Sequence, residues 1–435
     1  MKTHRFVYLI TDIVNTIKRI MTSGCLNQAY RGCAWVKGAE MQYRADPQTG
    51  DKLSVLGFGC MRFARKGRRI DVDKAQSLVC RAVEAGVNYF DTAYVYGGSE
   101  ETLGTIFARN PTLRDRIFLA TKLPHRQVKT FADLDRIFDE QLTRLGTDHI
   151  DYYLIHNLPD VDSWQRVVDL GIEPWLEEQK TKGRIRRVGF SFHGTLASFE
   201  ALLDVYDWNF CQIQYNYSDE NFQAGVTGLR KAHEKGLAVM IMEPLLGGRL
   251  ANGLPRQATE ALQRAAGGRT LASWGLRWVF NQPEPTVVLS GMNASDQLED
   301  NITTASQSAV GMLSDEEQAA LMDAHEVLRA AHKVPCTGCN YCMPCPQGVN
   351  IPGCFSAYNA RYVAGFSRSM MQYFTSTSAS DPDKYTGPRK CVRCGACEAK
   401  CPQHIPIPDS LVEVRKHMEP FYFKALAHIV RMFHG

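Results

Sequence analysis

Hydrophobic and polar positions follow two alternating periods from about residue 50 to residue 330. Short apolar runs typical of buried strands are followed by segments whose apolar residues recur every three or four positions, which indicates amphipathic helices. Helical segments of this kind include 71–86, 130–146, 195–206 and 222–235. Eight apolar runs are candidate strands, at 53–60, 88–92, 117–122, 149–156, 186–192, 210–216, 238–244 and 286–291.

This alternation predicts the fold class. Eight strand–helix units fit a closed (β/α)8 TIM barrel better than an open doubly wound sheet, and no G-x-G-x-x-G follows the first strand. We therefore assign residues 41–332 to a barrel that begins with a hairpin (41–44 and 52–56) and ends with a helix at 314–332. The connection 246–269 is long for a βα loop, so we expect it to form a lid over the active face.

Residues 1–40 are expected to form a separate N-terminal extension. Asp12 and Asn15 interrupt their apolar run, and no small-residue cleavage site follows closely, which disfavours a secretory signal. We interpret the segment as a short amphipathic extension or as translation from an upstream start codon, with the working start at Met41. Deleting 1–40 and losing solubility or activity would contradict the second interpretation.

Composition narrows the class of protein. The hydrophobic share of 44%, the charged share of 22% and the net charge of +4 are ordinary for a globular protein and predict neither nucleic-acid nor membrane-surface binding. No apolar run approaches the roughly 18 residues of a membrane span. Six of the 14 cysteines are scattered and eight lie in two clusters, which indicates a reducing compartment and metal rather than disulfides. We expect a cytoplasmic protein.

Four polar residues follow strand ends in a regular spacing. Asp91, Lys122 and His156 are 31 and 34 residues apart, about one βα unit each, and Tyr96 lies on the loop after Asp91. Because parallel strands end at one rim, we expect all four in one mouth. A nearby lysine lowers the high pKa of a phenol, an aspartate holds the lysine, and a histidine orients a carbonyl, so the mouth can protonate a carbonyl oxygen.

These residues resemble the aldo/keto reductase family. Asp91 and Tyr96 stand in Phe-Asp-Thr-Ala-Tyr-Val-Tyr-Gly, Lys122 in Ala-Thr-Lys, and His156 in Asp-Tyr-Tyr-Leu-Ile-His, matching the family's catalytic tetrad. The resemblance spans about 41–330. It implies reversible hydride transfer from NADPH or NADH to an aldehyde or ketone, with Tyr96 as general acid.

The same resemblance implies the cofactor contacts. Ser191 and Gln212 match residues at the nicotinamide carboxamide, although Phe192-His193 replace the family asparagine. Met242 occupies the place where an aromatic ring often stacks on the nicotinamide. The pyrophosphate is expected along Pro244, Leu245 and Gly247.

The adenosine end departs from the family pattern. Members that prefer NADPH often carry Lys-Ser near Gly291-Met292 and an arginine near Gln297, and neither is present, whereas Asn301 matches an adenine contact. A 2′-phosphate without a cation is held weakly, so we expect no strong preference for NADPH. A hundredfold kinetic preference would contradict this.

The C-terminal cysteines form two runs. Cys336, Cys339, Cys342 and Cys345 make the first, and Cys391, Cys394, Cys397 and Cys401 make the second, which matches the C-x2-C-x2-C-x3-C-P pattern of [4Fe–4S] binding. Zinc is the alternative, but it does not explain two triple runs that each close with Cys-Pro. By the two-cluster rule, Cys336, Cys339, Cys342 and Cys401 hold one cluster, and Cys391, Cys394, Cys397 and Cys345 hold the other.

The 45 residues between Cys345 and Cys391 are too many for a compact two-hairpin ferredoxin. Residues 351–374 have helical spacing, so 333–410 resembles the α-helical ferredoxin of the family's iron–sulfur subgroup. The tail, 411–435, is interpreted as an amphipathic helix packed on the protein, with a membrane-surface helix as the alternative. Its apolar side is Leu411, Val414, Met418, Phe421, Phe423, Leu426, Ile429 and Met432.

Three functions stay open at this point. In the first, the chain is a carbonyl reductase whose clusters relay electrons to or from a redox partner protein. In the second, it is an electron-transfer or redox-sensing protein whose barrel mainly binds nucleotide. In the third, it is a reductase whose clusters are structural. The tetrad favours the enzyme. Hydride carries two electrons and a cluster one, and no flavin motif is evident to convert between them. The sequence decides neither the carbonyl substrate nor the oligomeric state.

Overall fold

A computed structural model describes residues 40–67, 69–252, 254–364, 366–379 and 384–423. The N-terminal extension up to residue 39 and the tail residues Leu426, Ile429 and Met432 lie outside these ranges. The described residues fall into two compact units. The barrel unit comprises 40–252 and 258–325, and the cysteine unit comprises 326–423 with 254–257.

Eight parallel strands close the barrel, which confirms the predicted fold class. Each strand pairs with its neighbours in register, as where Asp91 lies beside Ala120 and Lys122 beside Leu154. In chain order the strands are β3 (Leu56–Gly59), β6 (Tyr89–Asp91), β7 (Phe118–Leu123), β8 (Ile150–Ile155), β9 (Ile185–Ser191), β10 (Phe210–Gln214), β11 (Ala238–Met242) and β12 (Val287–Ser290).

The prediction of one continuous first strand over 53–60 is wrong, because two strands share this segment. Its first residues belong to the hairpin of β1 (Tyr43–Ala45) and β2 (Lys52–Ser54), and the chain breaks at Val55 before β3. Leu53 is fully buried among barrel-interior side chains such as Tyr152, whose hydroxyl donates to Asp46 at 2.9 Å. The hairpin therefore closes the end of the barrel opposite the strand ends that carry the site. Two further short strands, β4 (Arg65–Lys66) and β5 (Arg69–Ile70), form a second hairpin.

Helices connect the strands and cover the barrel. Several begin with a side-chain cap, as where Asp71 accepts from the Lys74 amide and Thr130 forms a capping box with Asp133. The helices of the barrel unit are Val72–Glu84, Ser99–Arg109, Phe131–Leu145, Val161–Val168, Ile172–Thr181, Leu196–Leu202, Gly225–Glu234, Arg249–Asn252, Arg256–Ala265, Leu271–Phe280, Ser295–Ser306 and Asp315–Ala331, the last of which continues into the cysteine unit.

Alternation along the strands separates two cores. Outward residues such as Phe90 and Tyr153 pack beneath the helices, and inward residues such as Tyr89 and Phe210 fill the barrel. Gly189 makes the inward packing possible, because a Cβ there would lie 2.4 Å from the Phe210 carbonyl oxygen. Towards the carboxyl ends, the inward positions become polar.

The connection 246–269 is not an extended loop, contrary to our expectation. It contains a 3-10 turn (Leu246–Gly248) and two helices, Arg249–Asn252 and Arg256–Ala265. Ala258, Ala261 and Leu262 are buried at helical spacing, which explains why the second helix is stable between glycine-rich breaks. Its proposed role as a lid stays a prediction.

Three helices build the cysteine unit: Ile351–Ala364, Phe366–Thr377 and Ile407–Met418. They bury a core that includes Phe355, Tyr373 and Leu411. Val414, Met418 and Phe423 of the predicted apolar side are also buried, but Phe421 is 98% exposed, so its assignment to that side is wrong. Within the described ranges, no helix combines the length and apolar character needed to cross a membrane.

Candidate active site and cysteine centre

The four rim residues meet at the carboxyl ends of the strands. Lys122, the fifth residue of β7, points inward and is 1% exposed. Its Nζ lies 2.6 Å from both carboxylate oxygens of Asp91 and donates to the Thr92 carbonyl oxygen at 2.8 Å. The lysine is thereby held by three acceptors in a buried pocket.

Tyr96 lies over this ion pair. The centre of its ring is 5.2 Å from Lys122 Nζ and 5.7 Å from the ring of His156, which meets it edge-on at 88°. The loop is fixed by a tight turn, because the Tyr96 amide donates to Ala93 and Gly98 adopts a left-handed φ of 83° that suits glycine. The structure thus brings together all four residues of the predicted tetrad.

Burial sets the protonation of this group. It lowers the pKa of Lys122 and raises that of Asp91, and in each case the oppositely charged partner opposes the shift. Burial, and next the Lys122 cation, hold the pKa of His156 well below its usual 6.5. His156 is therefore a neutral imidazole at pH 7, which can orient a carbonyl but is a poor proton donor.

A polar network behind β7 supports the lysine and was missed from the sequence. Gln141 Nε2 donates to the Lys122 carbonyl oxygen at 3.1 Å and to buried Glu100 at 2.9 Å. Glu100 also accepts from Thr121 at 2.6 Å and pairs with Arg144 at 3.2 Å. Glu100 and Gln141 are polar residues on the buried faces of their helices, which is the signal that could have identified them.

Gln212 links the tetrad to the expected nicotinamide site. Its Nε2 donates to Asp91 at 3.1 Å, while its Oε1 is buried and has no hydrogen-bond partner among the described residues. Asn301 is similar, since its Nδ2 donates to Ser290 at 2.9 Å and its buried Oδ1 is unpaired. Two orphaned acceptors fit the amide N–H groups of a carboxamide and the amino group of an adenine.

The other expected cofactor residues occupy the same rim. Ser191 Oγ accepts from the Asn157 amide at 2.8 Å and retains a hydroxyl hydrogen to donate. Met242 ends β11 and is half-buried. Gln297 lies in the first turn of the helix Ser295–Ser306, and its side-chain oxygen accepts from the Asn293 amide in the preceding loop at 3.0 Å. Pro244, Leu245 and Gly247 follow β11, and Gly291 and Met292 follow β12.

Arg62 is a candidate that the sequence analysis overlooked. It ends the 3-10 turn after β3, and its stem lies beside Gly291, where a Cβ would be 3.4 Å from the Arg62 Cβ and Cδ. Its guanidinium reaches Glu243 at 3.9 Å. A cation therefore lies among the residues expected at the cofactor phosphates, and it is supplied by the turn after β3.

The cysteine runs converge across the sequence. Burial raises the pKa of Cys342 to about 12, and the next contributions come from Cys336, Cys339 and Cys401. Burial also raises the pKa of Cys397, to which Cys345 and Cys391 contribute. The last cysteine of each run, Cys345 or Cys401, therefore lies near the other run.

The remaining thiols differ in exposure. Cys394 is exposed, whereas Cys354, which lies outside both runs, is fully buried in the helical core. In the described part of the chain, no three Cys, His, Asp or Glu side chains are grouped tightly enough to hold one metal ion.

Comparison with known proteins identifies the class. The model of the aldo/keto reductase family matches residues 55–326, and the model of the 4Fe-4S dicluster domain matches residues 335–405. The chain therefore belongs to the aldo/keto reductase family and carries a C-terminal iron–sulfur domain. It is an NAD(P)H-dependent oxidoreductase.

Characterised relatives cover the barrel. The 6-dehydroglucose reductase of Novosphingobium aromaticivorans is 31% identical over 57% of this chain and 85% of that protein. The L-galactose dehydrogenase of Arabidopsis thaliana is 26% identical over 62% of this chain and 89% of its own length. Among solved structures, the holo form of an aldo-keto reductase from Bacillus halodurans matches the fold with a TM-score of 0.54, at 24% identity over 66% of this chain and 96% of that one.

Proposed function

We propose that the barrel transfers hydride between NADPH or NADH and an aldehyde or ketone, with Tyr96 as the general acid. The observation that carries this proposal is the buried Lys122–Asp91 pair beneath the Tyr96 ring, at 2.6 Å and 5.2 Å. The cation stabilises a phenolate, which makes the hydroxyl of Tyr96 a better acid than a free phenol.

The division of roles follows from protonation. Tyr96 donates its proton to the carbonyl oxygen as hydride reaches the carbonyl carbon, and Lys122 stabilises the phenolate that remains. Asp91 keeps the lysine in place. Neutral His156 orients the carbonyl oxygen by a hydrogen bond, because burial keeps its pKa too low for it to supply the proton.

The nicotinamide cofactor supplies the hydride when it is bound. Gln212 and Ser191 would hold its carboxamide, and Asn301 would accept from its adenine amino group. Met242 would lie against the nicotinamide ring. Pro244, Leu245, Gly247, Gly291, Met292 and Gln297 would line the remainder of the dinucleotide.

The substrate class we propose is a sugar-derived carbonyl. Two of the relatives are named for 6-dehydroglucose and L-galactose. A polyhydroxylated substrate would also suit a mouth whose inward residues at the strand ends are polar.

The test is anaerobic turnover of a panel of aldehydes, ketones and oxidised sugars. Tyr96→Phe is expected to lower kcat by about 10²- to 10⁴-fold, because it removes the proton donor. Tyr94→Phe is the matched control, since the Tyr94 hydroxyl donates to Glu140 at 2.8 Å instead. Equal rates for wild type and Tyr96→Phe would end the proposal.

For the C-terminal domain we propose two [4Fe–4S] clusters with exchanged fourth ligands. Cys336, Cys339, Cys342 and Cys401 would hold the first, and Cys391, Cys394, Cys397 and Cys345 the second. The proximity of Cys401 to Cys342, and of Cys345 to Cys397, supports this exchange. The clusters would relay single electrons to or from a partner protein.

Double variants test the ligand sets. With exchanged ligands, Cys336→Ser/Cys401→Ser damages one cluster and leaves about half of the iron, because both residues serve the same cluster. Cys336→Ser/Cys345→Ser damages both. Cys354→Ser is the control and should keep all iron. Iron and sulfide analysis with the opposite pattern would mean that each run closes its own cluster.

The relay itself is tested by adding NAD(P)H to oxidised clusters and recording their absorbance, with dithionite as the reference reductant. Clusters that NAD(P)H reduces support a relay within the chain. Clusters that only dithionite reduces would support the structural role instead.

A further inference from the structure

The two cysteine runs share a backbone conformation but present different surfaces. Gly338 has a φ of 68° and the matching residue of the second run, Arg393, has a φ of 57°. Asn340 and Gly395 likewise correspond, at 67° and 74°. The loops are therefore similar in backbone, and the side chains make the difference between them.

Charge is the first difference. Residues 334–360, which include the whole first run, contain no Asp, Glu, Lys or Arg. Residues 389–404 contain four cations and a single carboxylate, Glu398. The positive charge of the cysteine unit is thus concentrated at the second run.

Exposure is the second difference. Cys394 and Val392 are exposed, whereas the matching residues of the first run, Cys339 and Thr337, are half-buried and buried. The other cysteines of the second run are half-buried or buried. Lys390 and Lys400 are exposed on either side of the two exposed residues in the chain. A ligand of the proposed second cluster therefore reaches the surface within an apolar and cationic rim.

Backbone strain marks the same place. Arg393 adopts a left-handed backbone conformation that Gly338 adopts without strain, because glycine has no Cβ. Arg393 is exposed and pairs with exposed Asp409 at 2.5 Å. Arg389 is bound to the fully buried Glu419 carboxylate, so its charge is largely balanced. Lys390 and Lys400 supply the surplus positive charge.

From these observations we propose that the surface formed by Lys390, Val392, Arg393, Cys394 and Lys400 docks a small acidic protein that carries one electron. The acidic face of the carrier complements the lysines, and Val392 gives an apolar contact next to the exposed ligand. The carrier is oxidised by one electron as the second cluster is reduced by one, or the reverse, and no bond forms or breaks. The inference rests on the proposed function, because the exchange needs a cluster on the second run.

The test measures binding and electron exchange separately. An acidic ferredoxin is the probe, and the full-length protein with its clusters is immobilised for measurement of Kd at low and high salt. Lys390→Glu/Lys400→Glu is expected to weaken binding at least about tenfold at low salt and to flatten the salt dependence. Stopped-flow reduction of the clusters by the reduced ferredoxin should slow in parallel.

The matched control carries the same change in net charge elsewhere. Lys52→Glu/Lys74→Glu alters two exposed lysines of the barrel unit and should bind the ferredoxin within about twofold of wild type. If this control weakens binding equally, the effect is one of total charge and the proposal is wrong.

A second variant guards against loss of the clusters. Val392→Thr/Arg393→Gly places the residues of the first run on the same backbone and relieves the strain, so it should keep its iron and still bind the ferredoxin more weakly. Wild-type affinity in both surface variants overturns the proposal. A second result would also overturn the proposal. In it, the Lys390→Glu/Lys400→Glu protein exchanges electrons with the ferredoxin as fast as wild type but no longer binds phosphatidylserine vesicles. The surface would then bind lipid and not the carrier.

Iron and sulfide analysis of each variant separates the two proposals. If the wild-type protein holds no cluster on the second run, the proposed function is contradicted. If it holds both clusters but does not bind the acidic ferredoxin, only the docking surface is contradicted.

Discussion

The barrel mouth and the cysteine unit place their functional residues in different ways. In the mouth, Asp91 and Lys122 lie on strands of the large barrel core. Lys122 Nζ and the Asp91 carboxylate are 2.6 Å apart, so their charges neutralise each other. In the cysteine unit, the thiols lie on loops around a small helical core, and burial, followed by neighbouring Cys336, Cys339 and Cys401, raises the pKa of Cys342. The mouth is held together by this ion pair, whereas in our proposal the thiols of the cysteine unit are drawn together by bound clusters.

Removal of iron is expected to affect the cysteine unit and leave the barrel unit unchanged. Metal binding in small sites contributes directly to folding, so the apoprotein should lose protection from hydrogen exchange throughout 336–423. Peptides of β6, β7 and β8 should exchange as in the holoprotein. Loss of protection in both units, or in neither, would show that the two do not differ as we describe.

Lys122→Met tests whether the mouth depends on its ion pair. The substitution leaves Asp91 charged and buried, which is expected to cost about 3–5 kcal/mol of barrel stability. Asp91→Asn/Lys122→Met should recover most of that stability but not the activity. Lys182→Met is the control, because Lys182 and Glu178 are both half-exposed and such a pair is worth at most about 1 kcal/mol. A double variant as unstable as Lys122→Met would contradict the pairing.

His125 gives the barrel a pH dependence of smaller size. Burial lowers its pKa to about 4, so the unfolded chain binds the proton more readily, and barrel stability should fall as pH decreases from about 6.5 towards 4. The slope is at most about 1.4 kcal/mol per pH unit for this residue. The protection of β7 peptides from hydrogen exchange should fall less between pH 7 and pH 5.5 in His125→Asn than in wild type. An unchanged loss would assign the effect to other groups.

The strand ends were predictable because the apolar runs of the buried strands stop close to them, although polar Thr121 and Asp151 lie within β7 and β8. Asp91 is the last residue of β6, Lys122 is the residue before the end of β7, and His156 directly follows β8, while their catalytic roles stay a prediction. The cysteine spacing was equally informative, since a cluster requires its ligands at short, fixed intervals.

Other features depend on contacts between distant segments. Glu100, Gln141 and Arg144 come from two helices, and their network is visible only once those helices pack beside β7. Arg62 joins β3 to Glu243 across Gly291 in the same way. The helix Arg256–Ala265 was not predicted within the long connection 246–269, and its buried face makes it stable.

We propose above all that the barrel transfers hydride to a carbonyl carbon. The most direct measurement supplies cofactor deuterated at both C4 positions of the dihydronicotinamide, under anaerobic conditions, and analyses the alcohol product by mass spectrometry. We predict one deuterium on the former carbonyl carbon in wild type, and loss of product with Tyr96→Phe but not Tyr94→Phe. A product without deuterium, or equal product from the Tyr96→Phe protein, would contradict the account.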